Sequence, residues 1–127
     1  MTLGRRTLLV VDDDREISDL LAALLATEGW NVSNTSDSRE AVRWLQSRPP
    51  PDVILTDVMM PDMSGFELVE KIVSLPGVKD VPVIQMSAHY LEKVSPRVNA
   101  VIAKPFKLPE LLVLLNRLAP LTPASRP

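Results

Sequence analysis

The sequence predicts an α/β domain in which a parallel β-sheet is covered by helices on both faces, and three observations carry that prediction. Thr7–Val11 and Val53–Leu55 are apolar, β-prone runs without the alternation of a half-exposed strand, as expected of strands buried on both faces. Between such runs lie longer segments whose apolar residues recur at helical spacing, and strands alternating with helices in this way imply right-handed crossovers. Finally, four of the five predicted strands end on polar candidates, namely Asp12 to Asp14, Asp57, Ser87 and Lys104. Parallel strands deliver all of these to one edge of the sheet, where open α/β sheets bind their ligands.

The elements follow in order. After the strand Thr7–Val11, Arg15–Glu28 carries Ile17, Leu20, Leu21, Leu24 and Leu25 on one helical stripe, and Gly29 supplies a C-terminal stop. Trp30–Asn34 is a short second strand. Ser36 or Asp37 can cap the next helix, whose apolar face is Ala41, Val42, Trp44 and Leu45, until Arg48 and three prolines end it. Val53–Leu55 delivers Asp57 to a turn marked by Pro61 and Gly65, and a third helix runs from Ser64 through Leu75 to Pro76 and Gly77. Val83–Met86 forms the fourth strand, ending at Ser87. A weak segment from His89 to Val94 is stopped by Ser95 and Pro96, leaving room for about one and a half helical turns. Val98–Ala103 is the fifth strand, ending at Lys104, and Leu108–Leu118 is a leucine-rich helix opened by Pro109 and Glu110.

Composition narrows the function. A chain of 127 residues makes one domain with room for a real core. The absence of cysteine excludes disulfides, thiolate metal sites and cysteine nucleophiles, and suits a reducing cytoplasm. A net charge of -2 and the lack of a basic patch give no reason to expect direct nucleic-acid binding. The apolar run after Arg5 and Arg6 meets three aspartates after five residues, so it does not read as a signal peptide, and the longest apolar segment, Leu20–Ala26, is far too short to span a bilayer. A soluble, cytoplasmic protein without membrane contact is expected.

Chemistry concentrates in the aspartates. Three adjacent carboxylates at Asp12, Asp13 and Asp14 repel one another, and burying part of that cluster is costly unless a cation answers it. A hard cation with oxygen ligands is the simplest answer. Each residue also has a plainer explanation: Lys104 could snorkel at a strand end, Ser87 could cap a helix, Asp14 could be a loop or N-cap residue, and His89 could merely open the next segment.

Taken together, VVDDD in the first strand, LTDVMMPDMSG around the third, MSA after the fourth and KPF after the fifth resemble the receiver domains of two-component response regulators. The likeness runs from Thr7 to Leu118. It implies a flavodoxin-like doubly wound sheet of five parallel strands in the order 2-1-3-4-5, with about five helices, the fourth shortened. Residues 1–119 would be the receiver domain and 120–127 a disordered tail or the start of a linker. By the same resemblance Asp57 is the phosphoryl acceptor, and Asp12 and Asp13 are the acidic pair that positions Mg²⁺, with Asp13, Asp57 and the backbone carbonyl of Met59 as its direct protein ligands. Ser87 would bond a phosphoryl oxygen, Lys104 would pair with the phosphoryl group, and Pro105 would follow a cis peptide bond.

The residue chemistry agrees, because a carboxylate attacks phosphorus poorly without positive charge and in-line positioning, which Mg²⁺ and Lys104 can supply. Two features depart from the family: Val101 stands where an aromatic switch residue is common, and only sixteen residues separate Ser87 from Lys104. The expected function is a signalling module that accepts a phosphoryl group from a histidine kinase or phosphotransfer protein onto Asp57, catalysing only its own phosphorylation and dephosphorylation. Its output would pass to an effector domain or downstream protein, from a monomer or a homodimer. A receiver-like scaffold acting independently of phosphorylation is the alternative. An aspartyl phosphohydrolase is a third reading, disfavoured because no substrate cap or further general acid is evident.

Overall fold

The computed structural model describes residues 6–57, 65–87 and 96–120. Five strands, β1 (Arg6–Val11), β2 (Trp30–Thr35), β3 (Val53–Asp57), β4 (Val83–Ser87) and β5 (Ala100–Ala103), form one sheet in the order β2-β1-β3-β4-β5. All four pairings are parallel. The described helices are α1 (Arg15–Ala26), α2 (Ser38–Ser47), α3 (Gly65–Ser74) and α4 (Leu108–Leu118). The predicted order is therefore observed. The short helix expected within His89–Val94 and the Met59 carbonyl lie outside the described residues.

Two apolar layers sandwich the sheet. On one face Leu8, Val10, Val53, Leu55, Ile84 and Met86 pack against Leu21 and Leu25 of α1 and Leu111 and Leu115 of α4. On the other, Leu9, Val11, Ile54 and Val83 meet Ala41 and Leu45 of α2 and Leu68, Val69 and Ile72 of α3. Alternate residues of β1 and β3 thus feed opposite layers, which is why Leu8–Val11 and Val53–Leu55 are apolar without alternation.

Several boundaries differ from the sequence pattern for local reasons. Helix α1 ends at Ala26 rather than Glu28 because its last turn tightens: Thr27, Glu28 and Gly29 each donate a backbone hydrogen bond to the residue three back, and Gly29 takes a φ of 88°. Strand β3 runs on through Thr56 and Asp57 because both pair with β4, opposite Gln85 and Met86. Strand β5 begins at Ala100 rather than Val98; just before it, Asn99 donates its amide to the Val83 carbonyl at 2.8 Å while its Oδ1, in place of a backbone carbonyl, accepts from Val83 N–H at 2.9 Å. Asp37 is the N-cap of α2, accepting from the Arg39 and Glu40 amides.

At the end of the sheet remote from Asp57, Arg6 is buried and its guanidinium lies 4.5 Å from the centroid of the fully buried Trp30 ring. One Nη1 donates to Asn116 Oδ1 and to the Ala119 carbonyl, both at 2.9 Å. A cation thereby meets the carbonyl end of α4 and fastens it to β1 and β2. Replacing Arg6 with Met keeps the aliphatic stem but removes these contacts, and should cost about 1–3 kcal/mol. Urea unfolding followed by Trp30 fluorescence measures it; an unchanged midpoint would show that the guanidinium contributes nothing net.

Candidate functional site

The strand order dictates where a site can form. The chain passes from β1 outward to β2, then crosses back over β1 to β3, so the crossovers diverge between β1 and β3 and leave a crevice at their carboxyl ends. Asp12 directly follows β1 and Asp57 ends β3. Lys104 directly follows β5, beginning a Lys104–Pro105 peptide that is cis.

These residues meet. Lys104 Nζ lies 3.0 Å from Asp12 Oδ2 and 3.1 Å from Asp57 Oδ2, bridging two carboxylates from different strands. Asp12 is 1% exposed and Asp57 8%, so neither charge is left to water alone. Asp13 is exposed, yet each of Asp12, Asp13 and Asp57 offers an oxygen within 4.8 Å of the others. The second Asp12 oxygen, Oδ1, accepts the Asp14 amide at 2.9 Å. Asp14 is not one of these three and instead caps α1, its Oδ1 accepting from Ile17 N–H at 3.2 Å. Ser87 is buried at the end of β4, one step past the Met86 that pairs with Asp57, and its carbonyl accepts the Lys104 amide at 2.7 Å. Thus Asp12, Asp57 and Lys104 are in contact, Asp13 brings its carboxylate within 4.8 Å of the other two, and Ser87 adjoins Lys104 through the backbone. His89 lies outside the described residues.

The electrostatics follow from this packing. Burial pushes the Lys104 ammonium down, but its hydrogen bonds to Asp12 and Asp57, reinforced by both charges, outweigh that and leave its pKa raised above the ordinary 10.5. Lys104 is therefore a cation throughout the physiological range. Three carboxylates against one ammonium leave two negative charges, which a divalent cation would balance. The donors are hard oxygens, and Mg²⁺ takes few carboxylates because it retains several waters, so the residues present fit that ion.

An apolar groove of about 450 Å³ adjoins the cluster, lined in part by Ile17, Leu20 and Leu24 of α1 and by Phe106 and Leu108 before and at the start of α4. Lys104 lines it too, so the groove opens beside the carboxylates. Leu20 is 59% exposed there. The sequence pattern placed these residues on one apolar stripe; the structure divides it, burying Leu21 and Leu25 and leaving Ile17, Leu20 and Leu24 exposed along the groove, whose floor Leu21 also lines. A stripe broader than the sheet contact was the available signal. The bridging of Asp12 by Lys104 was also missed, since sequence reasoning paired Lys104 only with the phosphoryl group.

Known proteins resemble this chain in sequence and fold. A model of the response regulator receiver domain matches residues 8–116. The chain is 38% identical over 92 residues to an uncharacterised 14.6 kDa protein of Leptolyngbya boryana, covering 72% of this chain and 70% of that one. It is 34% identical over 120 residues to the probable transcriptional regulatory protein TcrX of Mycobacterium tuberculosis, covering 88% of this chain but only 49% of TcrX, so it spans about half the length of that relative. Among solved structures, the receiver domain of sensor histidine kinase PA1611 from Pseudomonas aeruginosa, which holds a magnesium ion in its active-site cleft, superposes with a TM-score of 0.81 at 27% identity, over 91% of this chain and 98% of that one. Chemotaxis response regulator CheY4 of Vibrio cholerae gives 0.81 at 28% identity, over 90% and 98%.

The raised Lys104 pKa makes a signed prediction. A folded pKa above the unfolded 10.5 means that the ion pairs contribute their full stability below that pH and lose it as pH rises through the folded value. In buffer free of divalent ions, the Lys104 side-chain resonance should titrate above 10.5, later than solvent-exposed lysines, and unfolding free energy should fall across that alkaline window. A midpoint below 10.5 would mean that burial outweighs the two carboxylates.

Proposed function

From the premise that this chain belongs to the receiver domains of two-component response regulators, we propose that it is a phosphorylation-controlled switch with Asp57 as the phosphoryl acceptor. One observation carries the assignment: Asp57 is the carboxylate that ends a fully buried strand, touches Lys104 at 3.1 Å, and has the oxygens of Asp12 and Asp13 within 4.8 Å. No other carboxylate combines these features among the described residues.

The chemistry follows from the positions. One Asp57 oxygen attacks the phosphorus of a phosphohistidine; the new O–P bond forms as the N–P bond breaks, and the imidazole leaves with its electron pair. Lys104, held as a cation, counters the charge on the phosphoryl oxygens and can swing from Asp57 onto that group without leaving Asp12. Ser87 would hold a further phosphoryl oxygen. Asp13 and Asp57, with the Met59 carbonyl, would ligate Mg²⁺ while Asp12 orients the set. When bound, Mg²⁺ supplies the charge neutralisation and in-line alignment that a carboxylate nucleophile needs. The solved neighbour with magnesium in its cleft supports Mg²⁺ as the ion.

The donor would be a sensor histidine kinase or histidine phosphotransfer protein, and the groove beside Lys104 offers it an apolar seat next to Asp57. The output would be an effector domain or a downstream protein, and a homodimer is one form it could take. The chain would catalyse only its own phosphorylation and dephosphorylation. No helix among the described residues is long and apolar enough to cross a membrane, and cytoplasmic action fits this role. A scaffold indifferent to phosphorylation draws support from Val101, 46% exposed where an aromatic switch residue is common.

Incubation with Mg²⁺ and acetyl phosphate, followed by mapping of the modified residue, tests the proposal. Wild type should be labelled at Asp57, and Asp57→Asn should abolish the label. Asp13→Ala should preserve the fold yet lower both Mg²⁺ affinity and labelling. Full labelling of Asp57→Asn at another aspartate would show the nucleophile to be misassigned. Labelling that leaves partner binding unaltered would favour the scaffold.

A further inference from the structure

We infer that Asp14 is a positioning residue for the metal-facing carboxylates, acting through Asp12 rather than as a ligand; this rests on the site reading given above. Asp14 is bound in three ways at the start of α1. Its Oδ1 accepts the Ile17 amide at 3.2 Å, its carbonyl accepts the Ser18 amide at 3.1 Å, and its own amide donates to Asp12 Oδ1 at 2.9 Å. The first two bonds hold its backbone in the extended N-cap conformation, φ -86° and ψ 97°. The direction of the third follows from them.

That third bond acts on the most deeply buried carboxylate of the cluster. Asp12 is 1% exposed, its amide is tied to the Thr35 carbonyl at 3.0 Å, and its Oδ2 meets Lys104 at 3.0 Å. Its remaining freedom is rotation of the carboxylate, which the Asp14 amide stops. Without the cap, the Asp14 backbone is released, its amide turns, and a buried oxygen loses its donor where water cannot readily replace it. The carboxylate then rotates to recover a bond, loosening its hold on Lys104 and disordering the oxygens that converge with Asp13 and Asp57. The carboxylate of Asp14 is exposed and is not one of the three whose oxygens converge. Three consecutive aspartates thereby divide the work: Asp14 fixes Asp12, Asp12 fixes Lys104, and Asp13 faces the ion.

The alternative is that Asp14 acts only through its negative charge. The two differ in the behaviour of neutral capping residues. In the full chain, the Mg²⁺ concentration giving half-maximal labelling of Asp57 by acetyl phosphate is measured for wild type, Asp14→Ala, Asp14→Gly, Asp14→Asn and Asp14→Ser. Asn and Ser keep the cap acceptor without the charge, and Gly keeps most of the helix stability without the acceptor, so it stands in should the Ala variant fold poorly. The Ala and Gly variants should need about three- to tenfold more Mg²⁺, the scale of one lost helix cap, and reach near wild-type labelling at saturation. Asn and Ser should stay within about twofold of wild type, since the cap is retained. Unchanged Mg²⁺ dependence in both Ala and Gly variants overturns the inference, as does an Asn variant as impaired as Ala. Wild type left unlabelled at any Mg²⁺ concentration would instead defeat the underlying site reading.

Discussion

Between Asp12 and Asp57 lies the Lys104 ammonium, at 3.0 and 3.1 Å, and the carboxyl edge of the sheet depends on that bridge. Each carboxylate is nearly inaccessible, and burying two such groups side by side is costly without a cation between them. The ammonium answers both in one crevice. It also joins the end of β3 and the exit of β1 to the exit of edge strand β5, drawing together three segments distant in sequence. Its hold is incomplete in charge, because Asp13 adds a third carboxylate at the rim. The remaining deficit makes the cluster receptive to a hard divalent ion and, after phosphoryl transfer, to a rearrangement of Lys104.

The fold makes that arrangement cheap. Central strands β1 and β3 are buried on both faces, so their ends are held by two complete apolar layers rather than by loops. Asp57 is within the ladder itself, paired opposite Met86, and its backbone is as fixed as the core. Asp12 is anchored through its amide to Thr35 of β2. At the opposite end of the sheet Arg6 ties α4, one wall of the groove, to the first strand.

Much of this was legible in the sequence because burial and chemistry left separate marks. Apolar runs without alternation marked β1 and β3, and a polar residue at the end of each of four strands marked the edge that carries the site. The strand order came only from family resemblance, since periodicity is blind to which strands adjoin. Other features have no one-dimensional signature. Nothing in the string DDD distinguishes a carboxylate that is 1% exposed from two that face solvent; that depends on how the backbone turns out of β1. Asn99 reads as a turn residue or a polar strand residue alike, and only the position of Val83 makes its side chain part of the ladder. The exposed Ile17, Leu20 and Leu24 look like core until α4 fixes how much of α1 is covered.

If Lys104 and a divalent ion answer the same carboxylates, they compete for them, and removing the ammonium should strengthen metal binding even as it weakens the switch. Calorimetric titration of Mg²⁺ into wild type and Lys104→Met, at matched ionic strength and without phosphodonor, measures this directly. Tighter Mg²⁺ binding by the Met variant is the predicted result. Equal or weaker binding by a folded Met variant would contradict the account, showing that Lys104 does not share its carboxylates with the ion.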